Sequence, residues 1–357
     1  MVAAVERPRK QEQETARTEV EELGPNVLRM QLPIAMPGLG HVNMYALLDD
    51  RGAAIVDPGL PGSATWKNIQ QRLGQANIKV KDVHTVIVTH SHPDHFGSAQ
   101  RLADAAGAEL VTHAAFHNHW MPHSHEDLDE VDPEDLMLSN PFDNTPWGTK
   151  PFRPPMRRRM MFRIMRTGLF NSWKPPTPTT RLRDGDVIKL AGREMFAVHT
   201  PGHTLDHLCI HDPEAGLLFS GDHVLPTITP HIAGIGAGRD PLTAFFSSLD
   251  RVAALPDVTT VLPAHGREFT DLPGRTESIK RHHHDRMQTL FDASKAVGPT
   301  TVSELSKHLF RKERWGHMAD SETYAHLEHL RLAGVAERHD RNGEAIYEVT
   351  GIPLTAG

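Results

Sequence analysis

The run His90-x-His92-x-Asp94-His95 constrains this chain more than any other stretch. It follows Thr85-Val86-Ile87-Val88, where every residue is β-branched, which reads as a short buried strand. It precedes Phe96 to Ala106, rich in small residues and read as a helix. Alternate side chains of an extended strand exit point the same way, so His90 and His92 can share one cation. Asp94 and His95 lie beyond, on a turn stiffened by Pro93, and can reach a second. Borderline divalent cations are held by neutral imidazoles and a few carboxylates, and this run offers four such groups in six positions.

Three later segments repeat the pattern of a ligand-type residue where a strand stops. They are Thr200-Pro201-Gly202-His203, Ser220-Gly221-Asp222 and Ala264-His265-Gly266. Open α/β layers place their sites at such strand ends, and glycines beside the candidate ligands permit tight loops. The strands expected around them are Val27 to Leu32, Val42 to Leu48, Ala53 to Val56, Glu109 to Thr112, Val187 to Leu190, Glu194 to His199, Leu208 to His211, Gly216 to Ser220 and Val258 to Leu262. Helices are expected over Ser63 to Leu73, Leu242 to Ala254 and Glu277 to Ala293.

The order HxHxDH, a distant His in TPGHT, then GD, then AHG resembles the metallo-β-lactamase superfamily over about residues 26 to 270. The resemblance implies an αββα sandwich with the metals at one edge of two packed sheets. It implies that His90, His92 and His203 bind one metal ion, that Asp94, His95 and His265 bind another, and that Asp222 bridges them. Asp57, in Val56-Asp57-Pro58-Gly59, matches a position that supports the ligands from behind; such partners orient imidazoles. The cofactor is then two divalent ions, zinc first, with manganese or iron also compatible with nitrogen and oxygen donors.

Two cations roughly 3.5–4 Å apart can share a water and bring its pKa from about 15.7 to near 7. The expected activity is therefore hydrolysis by a metal-bridging hydroxide of a carboxylic ester, thioester or lactone. The alternative is a metal-dependent endonuclease acting on single-stranded RNA. Asp94 is a candidate proton carrier as well as a ligand. His223, next to Asp222, is either a proton or oxyanion donor or a packed strand-end histidine.

The chain has 357 residues, long for one compact domain, and the C-terminal part reads as separate from Asp271 onward. Thr301-Val302-Ser303-Glu304 is a capping-box pattern opening a helix to about Phe310, and Ser321 to Leu332 is a second helix. Val335 to Arg338 and Ala345 to Val349 then read as a hairpin. Helix, helix, hairpin outlines a small winged-helix domain. With Ser220-Gly221-Asp222-His223-Val224-Leu225-Pro226 and His283, His284 and Arg286 on the long helix, it resembles the lactamase-β-2-like branch of the superfamily. From Thr301 to Thr350 there are seven Lys and Arg against nine Asp and Glu, and the whole chain carries a formal net charge of −7. Neither suits a phosphate backbone, so nucleic acid is not the expected partner. The winged helix is expected to be a packing or dimerising module, with a homodimer possible.

Residues 113 to 180 break the rhythm and read as a helical insertion over the catalytic face. Arg159, Arg163 and Arg166 recur at i, i+4, i+7 on one helical face, with Met161, Ile164, Met165 and Gly168 largely elsewhere. Either this is a lid for an acyl or anionic small-molecule substrate, or it simply covers the sandwich. His113, His117, His119, His123 and His125 either line that lid or form a solvated loop. His282 to His284 are expected on a partly exposed helical face. The first 25 residues are charged and are expected to be a disordered tail. They show no signal-peptide pattern, and no run approaches the roughly 18 apolar residues of a membrane span, so the expectation is a cytoplasmic protein. The single cysteine, Cys209, excludes an intramolecular disulfide and reads as a buried strand residue.

Overall fold

A computed structural model describes residues 10–36, 38–117, 145–148, 156, 160 and 176–353. Three strands, β1 (Val20–Gly24), β2 (Val27–Met36) and β3 (Leu39–Asp49), form an antiparallel meander. The chain continues through β4 (Gly52–Val56), helix α1 (Ser63–Gln75) and β5 (Val83–Ile87). Next come the short helix α2 (Pro93–Phe96), α3 (Ala99–Ala106), β6 (Glu109–His113) and β7 (Thr180–Leu182). These seven strands make one sheet in sequence order, antiparallel up to β4 and parallel from β4 to β7. The second sheet holds β8 (Val187–Leu190), β9 (Arg193–His199), β10 (Leu208–Asp212), β11 (Leu217–Gly221) and β12 (Thr260–Pro263), in the order β12-β11-β10-β9-β8.

Period-two burial shows how the layers stack, because neighbouring strand residues face opposite sides. In β3, Val42, Met44 and Ala46 pack outward toward α1 and α3, whereas Tyr45 and Leu47 pack inward between the sheets. In β4, Ala53 and Ile55 face out and Ala54 and Val56 face in. The second sheet mirrors this. Leu208, Ile210, Leu217 and Phe219 face the first sheet, and Cys209 and Leu218 face α4 (Pro241–Ala253) and the long α5 (Leu272–Val297). Both faces of both sheets are therefore covered, which is the αββα sandwich.

The C-terminal part adds β13 (Thr300–Thr301), α6 (Val302–Leu309), α7 (His317–Leu332), β14 (Ala336–Arg341) and β15 (Glu344–Val349), with the strands in the order β13-β15-β14. Thr301 caps α6 through its side chain, which accepts from the Glu304 amide. Helix α5 serves two cores. Leu272 and Ile279 pack with the second sheet's outer layer, and Met287 and Leu290 pack with Leu305, Leu327 and Tyr347. No helix among the described residues is long and apolar enough to cross a membrane.

Two expectations need correction. The chain is ordered well before Asn26. Glu12 is fully buried, its carboxylate accepts from the amides of Thr227 and Ile228, and β1 pairs with β2. Among the described residues of this segment, Glu14 likewise pairs with Arg267. On α5, His283 is not on an exposed face. It is fully buried and bonded to His326 of α7, because the C-terminal helices cover that side. Of the insertion, Arg159, Arg163, Arg166, Met161, Ile164, Met165, Gly168, His119, His123 and His125 lie outside the described residues.

Candidate metal centre

Five strand ends deliver the site. Val56, at the end of β4, is followed by Asp57 with φ of +52°, and β5 runs out through Val88 and Thr89 to His90. The exits of β9, β11 and β12 carry His203, Asp222 and His265. The chain brings these together in two groups, His90, His92, His203 and Asp222 in one, and Asp94, His95 and His265 in the other. Within each group the ligand atoms all lie within 4.8 Å of one another. Asp222 spans both. Its Oδ2 is 3.6 Å from His203 Nε2 and its Oδ1 is 3.3 Å from His265 Nε2.

Hydrogen bonds behind the rings fix which nitrogen faces inward. His203 Nδ1 donates to the carbonyl of His231 at 2.7 Å, and His265 Nδ1 donates to that of His41 at 2.6 Å. His95 Nδ1 bonds the Asp57 carboxylate at 2.8 Å. Thr89 spends its hydroxyl proton on Asp57, so its oxygen accepts from His90 Nδ1 at 3.0 Å. Each of these rings thus turns its Nε2 toward the cavity, and on His90 and His203 that nitrogen is bare. These two meet His92 Nδ1 at 3.0 and 3.1 Å. That atom has at most one proton to give, so lone pairs converge on a point where only a cation satisfies them all.

The electrostatics agree. Burial and the neighbouring rings hold His90 and His203 well below the usual imidazole range, so both are neutral donors. Around His95 burial is outweighed by Asp57, Asp94 and Asp222, which push its pKa up to about 10. The same carboxylates favour a divalent cation at that place. His95 Nε2, His265 Nε2 and Asp222 Oδ1 are buried and have no hydrogen-bond partner among the described residues. The donor set therefore fits metal ions.

The sequence profile of the metallo-beta-lactamase superfamily matches residues 37–265, which contain the whole cluster. The chain belongs to this superfamily. A metallo-beta-lactamase family protein from Thermus thermophilus superposes with a TM-score of 0.74 at 28% identity, covering 92% of this chain and all of that one. The probable metallo-hydrolase YqjP of Bacillus subtilis is 25% identical over 315 residues, 82% of this chain and 90% of its own. A hydroxyacylglutathione hydrolase of Maricaulis maris is 34% identical over 133 residues, 36% of this chain and 48% of that protein.

Within this superfamily framework, the site includes supports that the sequence reading missed. His207 is fully buried, its Nε2 accepts from the Asp222 amide at 3.0 Å, and its Nδ1 bonds Thr200 Oγ1 at 2.7 Å. A Cβ on Gly221, whose φ is +50°, would meet His207 Nε2 at 2.6 Å, so glycine is required there. Asp206 accepts from Ser91 Oγ at 3.0 Å and ties the TPGHT loop to the HxHxDH loop; burial pushes its pKa up to about 7. The signal available was spacing, since His207 lies four residues after His203. His223 stands outside both groups. It is fully buried, with its ring centroid 5.0 Å from Phe245 and 5.7 Å from His207, and burial pushes its pKa down to about 3. His113 stacks on His199 at 3.8 Å and belongs to neither group.

Proposed function

We propose that this superfamily member is a two-metal hydrolase of a carboxylic ester, thioester or lactone, with zinc as the working metal. His90, His92 and His203 would hold one ion, Asp94, His95 and His265 the other, and Asp222 both. The observation that carries this reading is the inward convergence of bare ring nitrogens around His92, with the Asp222 carboxylate beside both groups, Oδ2 near His203 and His95 and Oδ1 near His265. When bound, the ions supply Lewis acidity and a water acidified toward neutral pH. The chain's own residues hold the geometry. Asp57 and the carbonyls of His41 and His231 keep the rings in the donor tautomer, and His207 fixes Asp222 through its amide. Burial opposes the charge on Asp94, but His95 and His265 outweigh it and lower its pKa. Its carboxylate would thus be ionised, able to take the proton released by the attacking water and to pass it to the departing alkoxide or thiolate. His223, enclosed beside Phe245, supports the fold rather than the reaction in this reading.

The hydroxyacyl group in the name of the Maricaulis relative favours acyl hydrolysis over phosphodiester cleavage. The acidic balance of the C-terminal module, which we read as a winged helix used for packing, favours it too. The test is metal analysis of purified protein beside a screen of p-nitrophenyl esters, acyl-thioesters, lactones and labelled RNA. Two bound ions and turnover in one of the acyl classes are expected. Full activity in a metal-free His92→Ala protein would overturn the mechanism, and cleavage of RNA alone would overturn the substrate class.

A further inference from the structure

His203 differs from the other candidate ligands in what holds it. Asp57 and His41, which fix His95 and His265, lie on or beside strands of the first sheet. The carbonyl that fixes His203 belongs to His231, in a stretch with no helix or strand between Gly221 and Pro241. Such a stretch has no ladder of its own to keep a carbonyl in place.

Glu12 holds the first part of this stretch through the Thr227 and Ile228 amides, and the ties around His231 run to the C-terminal module. The Gly234 amide donates to Ser321 Oγ at 3.0 Å, and a Cβ on Gly234 would meet the Ser321 carbonyl oxygen at 2.5 Å. His231 Nδ1 lies 3.2 Å from Glu322 Oε2, and the other oxygen of Glu322 accepts from Arg286 of α5. Burial works against a charged Glu322, yet the His231 bond and the Arg286 guanidinium outweigh it and hold the carboxyl well below its ordinary range. The carboxylate therefore accepts and His231 donates. A buried ion pair is a poor way to add stability, since apolar residues of like volume do as well or better. What this one does supply is direction, because it pins one ring and hence one carbonyl.

We propose that Glu322, although it lies on α7 of the C-terminal module, is a positioning residue for the metal centre: clamped by Arg286, it holds His231 so that the His231 carbonyl keeps His203 in its metal-binding tautomer. The proposal rests on the two-metal reading above, and it gives the C-terminal module a part in the site. The chain Arg286, Glu322, His231, His203 links α5 and α7 to the first metal position through three hydrogen bonds.

The experiment is a zinc titration of the metal-free full-length protein against a chromophoric chelator, which resolves the two affinities. Glu322→Ala is expected to weaken one site about tenfold or more and leave the other at its wild-type value. The isosteric Glu322→Gln, which keeps one acceptor and spares the packing, is expected to show an intermediate loss at the same site. His231→Ala, which retains the carbonyl but loses the tie, should match Glu322→Ala, and the double variant should be no worse than either. Thr301→Ala weakens the same module at a helix cap away from the loop and should leave both affinities unchanged. Wild-type affinities at both sites in Glu322→Ala and Glu322→Gln would overturn the proposal, as would an equal loss in Thr301→Ala. A wild-type protein that binds no divalent ion overturns the two-metal reading itself, and this inference with it.

Discussion

His283 and His326 meet between α5 and α7 much as His90 and His92 meet at the sandwich edge: in each pair two ring nitrogens lie 3.0 Å apart. The helical pair closes the hydrogen bond between its two rings, although His283 Nε2 is buried without a partner among the described residues and meets no second lone pair. His326 Nδ1 donates to the carbonyl of Glu322 at 2.7 Å, so its Nε2 accepts from His283 Nδ1. At the sandwich edge the proton count fails, because His90 and His203 both bring lone pairs to a single His92 nitrogen. Carboxylates of Asp94 and Asp222 stand within 4 Å of His95 Nε2 there. Crowded, buried imidazoles therefore do not define a metal centre. The direction of the bare lone pairs and the nearby negative charge do.

The comparison breaks most decisively at Asp222, whose carboxylate lies within 4 Å of rings from both groups. Asp222→Ala is expected to bind neither ion and to lose about a thousandfold or more in kcat/KM, while thermal unfolding stays cooperative. Metal content by atomic absorption and a melting curve check this together. A variant that keeps both ions and turns over would show that the carboxylate is no bridge. Asp57→Asn probes the hydrogen bonds behind the rings. The amide would face the Thr89 hydroxyl and His95 Nδ1 with a donor where each now finds an acceptor. Affinity at the second group is expected to fall about 10- to 100-fold, with the first group less affected, by the same zinc titration.

The clustering of the candidate ligands was legible because they are side chains of special chemistry at strand ends. The run from Thr85 to Val88 had no competing reading, and each candidate ligand followed a strand the structure contains. Asp57 was readable for the same reason. What lay hidden works through groups every residue owns. His231 and His41 act by their carbonyls, and His207 acts on a main-chain amide. Glu12 reads as tail because its partners, the amides of Thr227 and Ile228, are more than 200 residues away. Helix α7 begins at His317 rather than Ser321 because Gly316 precedes it without a side-chain cap, leaving no sequence mark. Strand β7 has three residues, too few to show a period.

His326→Leu tests the other half of the comparison and should leave both metal affinities untouched. Leucine fits the volume but offers no acceptor, so the buried His283 Nδ1–H loses its partner, at a cost of about 1–3 kcal/mol at neutral pH. The pH dependence then separates titration from packing. In the folded wild type, burial is the largest influence on His326. Glu322 raises its pKa and Arg286 and His282 lower it, and the net is about 4. An unfolded histidine titrates near about 6.5. Between these values the unfolded chain binds more protons than the folded one, so stability is complete above the upper value and is lost as pH falls toward the lower. The leucine variant lacks this group and loses less on acidification, although His283, itself held well below the ordinary range, still contributes. Melting curves at pH 7.5 and pH 5 should therefore show the gap between wild type and variant narrowing as the solution becomes more acid. A gap that widens would mean that His326 carries a proton in the folded protein.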